Sequence, residues 1–306
     1  LGALIGYRNA MTYALQLSDD PHFSYSCGLI KSLHFMMQQY DFSRNPGRWR
    51  SGPIFVRDDQ TGARVYEGPD ASSVNALSHE LTQVLNNPPA GTPPMVLAAM
   101  AHLNLVMIHP FSDGNGRMSR VLQTMVLARG GILAKEFCGI EEYLGRNRQA
   151  YYDVLAEVGA GSWHPERDAR PWVRFCLTAH YRQASTLVRR ANVMQKLWDL
   201  LEHETSVRGL PERSIPVLAE AALGLRIRNA TYRKSADISD NVASRDLKLL
   251  SDNGLLVPQG EKRGRHYTAS DALRTIGAAA AQGEKRRFED PFELASDYLP
   301  GLAPVP

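Results

Sequence analysis

The sequence predicts a mainly α-helical protein in two parts: a larger helical domain interrupted by one β-hairpin, then a smaller domain of helices and a second hairpin. Three observations predict this. Apolar residues recur at helical spacing through most of residues 1–185 and again over 186–205. One segment, Gly52–Gly68, breaks that period with short apolar runs around a turn cluster at Asp58–Gly62. Beyond residue 205, short helical segments lead into the basic, hairpin-like run Gly260–Tyr267.

Cys27–Tyr40 places Leu29, Ile30, Leu33, Met36 and Met37 on one helical stripe. Val74–Leu85 repeats the pattern with Val74, Leu77, Leu81, Val84 and Leu85, and Asp70 or Ser72 is placed to cap its start. Pro88-Pro89 and Pro93-Pro94 end that helix and open the next, Met95–Met107, because proline is tolerated in a first turn but not in a helix interior. A lone hairpin has little stability of its own, so the Gly52–Gly68 segment is expected to be a surface flap. Residues 186–205 form a further amphipathic helix through Leu187, Val188, Val193, Leu197, Leu200 and Leu201. Three short helices and a hairpin then follow in the order of a winged helix-turn-helix. The tail carries Pro291, Pro300, Pro304 and Pro306 and is expected to wrap the surface or fray. The expected domains are 1–185, 186–282 and a tail at 283–306.

At 306 residues, 43% hydrophobic and 22% charged, the chain has apolar material for one large or two ordinary cores, which excludes a wholly disordered chain. Its longest apolar run, Met95–Ile108, is interrupted by His102 and Asn104 and is too short to span a membrane. Cys27, Cys138 and Cys176 are scattered without metal-ligand spacing and read as thiols of a reducing cytoplasm. The net charge of +3 is uneven: +1 over 1–185, +4 over 186–282 and −2 over the tail. Any basic bias thus belongs to the middle segment, where it is mild for a nucleic-acid binder and suits a solvated face as well. The chain starts at Leu1 with no signal-peptide pattern, so a longer gene product is expected.

One segment stands apart: His109-Pro-Phe-Ser-Asp113-Gly-Asn-Gly-Arg117-Met-Ser-Arg120, lying between two apolar helical stretches. Gly114 and Gly116 let the backbone turn so that successive N–H groups converge at the start of the next helix, an anion site. Arg117 and Arg120 are three apart on one helix face, suited to phosphate oxygens. Two arginines near a helix start oppose the helix dipole, a conflict that a bound anion relieves. Asp113 offers a hard oxygen suited to Mg²⁺ on phosphates, and His109 is a base for neutral pH. Each part alone has a bland reading as turn, structural histidine or surface charge. Together they are the components of phosphoryl or nucleotidyl transfer.

Those twelve residues resemble the complete Fic signature, His-Pro-Phe-x-Asp/Glu-Gly-Asn-Gly-Arg-x-x-Arg. Further similarity lies at Pro46–Arg50, at Asn147-Arg148-x-x-Tyr151-Tyr152 and at Pro171–Phe175. The resemblance implies a Fic-type helical core with a β-hairpin flap that transfers AMP from ATP to a protein hydroxyl and releases pyrophosphate. His109 would deprotonate the Ser, Thr or Tyr hydroxyl, a role worth about 10²–10⁴ in rate. Asp113 would hold Mg²⁺. Gly114, Asn115 and Gly116 would cradle phosphates through backbone and amide donors, and Arg117 and Arg120 would bind the outer phosphates. Tyr151 would line the nucleotide pocket, with Asn147 a second candidate there. Some relatives carry Asn eight positions beyond that Tyr, where Gly159 stands here. Phe111 would anchor the loop, and the hairpin would align the target by main-chain pairing.

The same resemblance raises the matter of inhibition. Many such proteins carry an inhibitory helix of pattern Ser/Thr-x-x-x-Glu-Gly/Asn. Glu67-Gly68 comes closest here, with Ala63 where Ser or Thr is needed. The inhibitory segment is therefore expected upstream of Leu1 or in a separate protein. Related cores also pair, so a homodimer is a further expectation. In the second domain, Asp240–Leu250 is similar to a winged-helix recognition helix with Val242, Leu247, Leu249 and Leu250 in the core. Ser244, Arg245 and Lys248 would face a groove, and Lys262, Arg263 and Arg265 would reach phosphates from the wing; the partner is DNA or a protein. Two other readings stay open: a DNA-binding regulator whose core only senses nucleotide, and an enzyme that transfers another phosphate-linked group or removes AMP.

Overall fold

The structure is a computed structural model that describes residues 1–57, 61–131, 134–261, 264–283 and 292. Most of the turn cluster at 58–62, together with Lys262, Arg263 and the tail prolines, lies outside the described residues. The chain divides into two units, Leu1–Ala184 and Ser185–Glu289.

The first unit is helical. It comprises α1 (Gly2–Leu17), α2 (Cys27–Gln38), α3 (Val74–Asn86), α4 (Pro94–Ile108), α5 (Asn115–Gly130), α6 (Glu141–Arg146), α7 (Arg148–Gly159) and the start of α8 (Arg170–Val207). Pro93 is the N-cap of α4 and Pro94 its first residue, which uses the missing N–H where no partner exists. Asp70 caps a 3₁₀ turn, Ala71–Ser73, that leads into α3. α4 is apolar nearly all round because it is central. Ala101, Leu105 and Ile108 pack with Ile30, Leu33, Val74, Leu81, Met118 and Leu122 in one cluster. Ala99 and Leu103 pack with Ile140, Tyr151, Val154, Trp172 and Cys176 in another. Gly6 brings α1 onto α2: a Cβ there would lie 2.5 Å from the Met37 carbonyl oxygen.

Two sequence expectations change. The hairpin pairs β1 (Phe55–Arg57) with β2 (Arg64–Glu67), Val56 opposite Tyr66, but it is not alone. A two-residue strand, β3 (Gly161–Ser162), joins β2 in parallel and ties the flap to the end of α7. The late helix containing Trp172 and the helix expected at 186–205 are one continuous α8 of 38 residues, since neither Gly nor Pro occurs between Trp172 and Val207.

The second unit contains α9 (Ile215–Ala222), α10 (Asn229–Ser235), α11 (Asp240–Asp252), an antiparallel hairpin of β4 (Leu256–Gln259) and β5 (His266–Ala269), and α12 (Asp271–Ala280). Leu197 and Leu201 of α8 share its core with Leu218, Tyr232, Leu247, Leu250, Leu255 and Leu273. Buried Asp246 accepts from Arg213 at 2.8 and 3.0 Å and from the Tyr232 hydroxyl at 2.9 Å, which pins α11. Leu249, expected in the core, is 38% exposed because it falls on the outer face of α11. α12 was not anticipated; Ser270 caps it by accepting from Leu273 N–H.

Candidate active site

α4 ends at His109, which adopts the left-handed conformation at φ 51° while its N–H still closes on Leu105. That conformation costs a non-glycine residue roughly 1–2 kcal/mol, so the surroundings must hold it. Arg50 does so. Its guanidinium donates to the carbonyls of His109 (2.9 Å), Gly52 (2.7 Å) and Pro69, and its own N–H to Pro110 (2.9 Å). One buried side chain therefore grips both legs of the hairpin and the histidine loop. The His109 Nδ1 lies 2.9 Å from the Val106 carbonyl, an acceptor only, so Nδ1 carries the ring proton and Nε2 keeps its lone pair. Burial lowers the His109 pKa and the nearby Arg50 cation adds to this, while the bond to Val106 opposes it; the ring is neutral at pH 7.

The turn into α5 is closed by Asn115. Its Oδ1 accepts from Phe111 N–H at 2.9 Å and its Nδ2 donates to the Phe111 carbonyl at 2.8 Å. This corrects the expectation that the Asn115 amide cradles phosphate: the buried side chain is committed to the loop, and only its backbone N–H faces the helix terminus. Gly114 is the N-cap at φ 82° and offers no side-chain cap. The first turn of α5 therefore keeps N–H groups without intrahelical partners, next to Arg117 and Arg120.

Asp113 is held by residues far away in sequence. Its Oδ1 accepts from Gly114 N–H at 2.7 Å, and its Oδ2 from Gln38 at 3.1 Å, from Arg44 and, more weakly, from Arg117 at 3.5 Å. Burial raises the carboxyl pKa, but Gly114, Arg44 and Gln38 together outweigh it and keep the group below the usual carboxylate range. His34 fixes the backbone beneath. It accepts from Gly47 N–H at Nδ1 (2.9 Å), so its Nε2 donates to the Asp113 carbonyl (3.0 Å), and its ring stacks on Phe111 at 3.7 Å. Among the described residues no group of three or more His, Cys, Asp or Glu forms a metal cage. A single carboxylate, 40% exposed beside an anion site, suits Mg²⁺, which takes most of its ligands from phosphate and water.

One expected pocket residue is buried. Tyr151 is only 5% exposed and packs between His102, Trp172 and Phe175, so its ring cannot line an open pocket. Asn147 donates to the Tyr143 carbonyl at 2.8 Å across the α6–α7 junction. Phe111 is fully buried, as an anchor should be. No motif of the sequence assigns a role to His34, Gln38, Arg44 or Arg50. His34 and Gln38 are four apart on α2 and hence on one face, the one available hint.

With this geometry in place, residues 25–127 match the Fic/DOC family model, Fic. The chain is 34% identical over 170 residues to "Protein adenylyltransferase Fic" of Aedes aegypti, covering 54% of this chain and 30% of that protein. It is 34% identical over 133 residues to the protein of the same name from Nematostella vectensis, covering 42% and 26%. The match thus spans less than a third of either relative. In fold it is similar to a Fic family protein from Desulfovibrio desulfuricans G20, with a TM-score of 0.50, 20% identity, and coverage of 87% of this chain and 74% of that one.

Proposed function

We propose that this chain is a protein adenylyltransferase that moves AMP from ATP to a Ser, Thr or Tyr hydroxyl of a target protein and releases pyrophosphate. The observation that carries this reading is His109: a neutral imidazole whose Nδ1 is anchored on Val106 and whose Nε2 is unprotonated. It stands at the loop that leads into an uncapped helix terminus flanked by two arginines. The similarity to adenylyltransferases over the same residues supports it.

The hydroxyl proton passes to His109 Nε2 as the oxygen attacks the α-phosphorus, and the bond to pyrophosphate breaks. Backbone N–H groups of the first turn of α5 and the Arg117 and Arg120 guanidinium groups meet the charge that develops on the phosphates. Asp113 would hold Mg²⁺, which when bound neutralises phosphate charge. The flap edge, held by Arg50 and β3, would pair with the target's main chain.

The test is the intact mass of the protein after incubation with ATP and Mg²⁺. A gain of one AMP that disappears in His109→Ala supports the reading, and an unchanged mass, with no label passed to any protein of a lysate, overturns it.

The second unit favours an added role. α11 exposes Ser244, Arg245 and Lys248, and Arg265 is exposed by the hairpin, an arrangement that suits a winged-helix module on DNA. Binding to duplex DNA that weakens steeply with salt supports this; salt-insensitive or absent binding leaves a protein-interaction module. The scattered Cys27, Cys138 and Cys176, without metal-ligand spacing, suit a reducing, cytoplasmic setting, and none of the described helices is long and apolar enough to cross a membrane.

A further inference from the structure

α2 presents two polar side chains to the loop that carries Asp113. His34 and Gln38, one turn apart, are both fully buried. His34 has partners at both ring nitrogens, the Gly47 N–H at 2.9 Å and the Asp113 carbonyl at 3.0 Å. Gln38 does not. Its Nε2 donates to Asp113 Oδ2 at 3.1 Å, but its Oε1 is shielded from solvent and has no hydrogen-bond donor among the described residues.

Turning the amide over cannot repair this. An ionised carboxylate only accepts, so the amide nitrogen must face Asp113 and the oxygen is the atom left unpaired. Gly114 leaves the amide no slack, since a Cβ there would lie 2.7 Å from Gln38 Nε2 and 3.5 Å from its Cδ. A buried acceptor without a donor destabilises a fold, and an apolar side chain of similar length would fill the same space without that penalty. Nor does Asp113 depend on Gln38 for a partner. Its side chain is 40% exposed, and Arg44 and Arg117 also reach Oδ2. Both arginines are partly open to solvent, so Gln38 is the one buried side chain that donates to the carboxylate. With Gly114 N–H on Oδ1 at 2.7 Å and Gln38 on Oδ2, the carboxylate is fixed at both oxygens by groups that cannot swing away.

We propose that Gln38 is a positioning residue for Asp113: it holds the carboxylate in the orientation that receives a divalent cation, and it lowers the stability of the fold in doing so. The proposal rests on the reading of Asp113 as the Mg²⁺ ligand of the nucleotide site. It does not require that AMP be transferred.

Two measurements on Gln38→Met test it, with Asp113→Ala as the reference. Urea unfolding of the nucleotide-free protein should give a midpoint equal to or above that of wild type, because the unpaired acceptor is gone. Mn²⁺ binding, read by electron paramagnetic resonance with an ATP analogue that carries a methylene between its α- and β-phosphates, should weaken about tenfold, the scale expected when a partner of a metal ligand is removed. Binding of the same analogue without a cation should not change. Gln38→Leu provides a second apolar replacement if methionine packs poorly. A urea midpoint below wild type in both variants makes Gln38 a stabilising residue and overturns the proposal. Mn²⁺ affinity that is unchanged in Gln38→Met but lost in Asp113→Ala overturns it too, while leaving Asp113 as the ligand. Mn²⁺ affinity unchanged in Asp113→Ala overturns the reading of Asp113 itself, and the proposal with it.

Discussion

Substituting Asn115 separates a loop clamp from a phosphate ligand. Its carboxamide donates to and accepts from the backbone of Phe111, which is fully buried, so Asn115→Ala leaves one N–H and one C=O without partners in a site closed to water. Each orphaned group costs about 1–3 kcal/mol, and together about 3 kcal/mol is expected. For a protein of this size that lowers Tm by on the order of 10 °C. Asn115→Asp sharpens the test. An acid in the first turn of a helix should stabilise by about 0.3–1 kcal/mol if the dipole were all that mattered. Here one oxygen would face the Phe111 carbonyl in place of a donor, so Asn115→Asp should destabilise. Thermal and urea unfolding of wild type and both variants reads this directly. An unchanged Tm in Asn115→Ala with weakened ATP binding would refute the clamp and restore the side chain as a phosphate ligand.

The other predictions concern the same loop and its support. Arg50→Met removes both a cation near His109 and the grip on Gly52 and Pro69. The His109 pKa should rise toward that of an ordinary histidine, moving the acid limb of the pH–rate profile upward, and transfer should fall by about 10²-fold from misplacement; an unmoved limb counts against the electrostatic part. Gly114→Ala puts a Cβ at φ 82° and 2.7 Å from Gln38 Nε2, so it should destabilise by about 2 kcal/mol or displace the Gln38 bond to Asp113, measured by urea unfolding. Because the folded pKa values of His102 and His180, about 3 and about 4, lie below that of an unfolded histidine, the unfolded chain binds more protons in acid. Their contribution is present above pH 6.5 and is lost as pH falls toward 4, about 2 kcal/mol each by pH 5; equal urea midpoints at pH 7.5 and 5 would contradict this.

The contiguous part of the site was legible because its chemistry is written in neighbouring residues: base, carboxylate, turn glycines and arginines follow one another within His109–Arg120. Its supports were not. Gln38, Arg44 and His34 meet Asp113 across 75, 69 and 79 residues of chain, and only the packing of α2 against the loop brings them there. Helical periodicity located α2, yet it counts apolar positions and passes over a polar residue buried on the same face. β3 has two residues, too few for any strand pattern, and its pairing depends on where α7 stops. The continuity of α8 was hidden for another reason: its apolar stripe serves two cores, so the pattern shifts without a breaker residue.

The loop between α4 and α5 also leaves a positive potential at the start of α5. The His109 N–H closes on Leu105, both Phe111 backbone groups close on Asn115, the Asp113 carbonyl accepts from His34, and the Gly114 N–H closes on the Asp113 carboxylate. The Asn115 carbonyl accepts from Ser119 as well. A loop closed on itself in this way does not collapse onto the helix terminus, so the first-turn N–H groups stay open and keep their partial positive charge. Arg117 and Arg120 raise that charge further, and neither the helix nor the loop supplies a matching acid beyond the one carboxylate already shared by Gln38 and Arg44. The uncompensated potential is therefore a fixed property of the fold, sustained by bonds on the far side of the loop. A group with several negative oxygens relieves it, and an uncharged ligand of the same size does not.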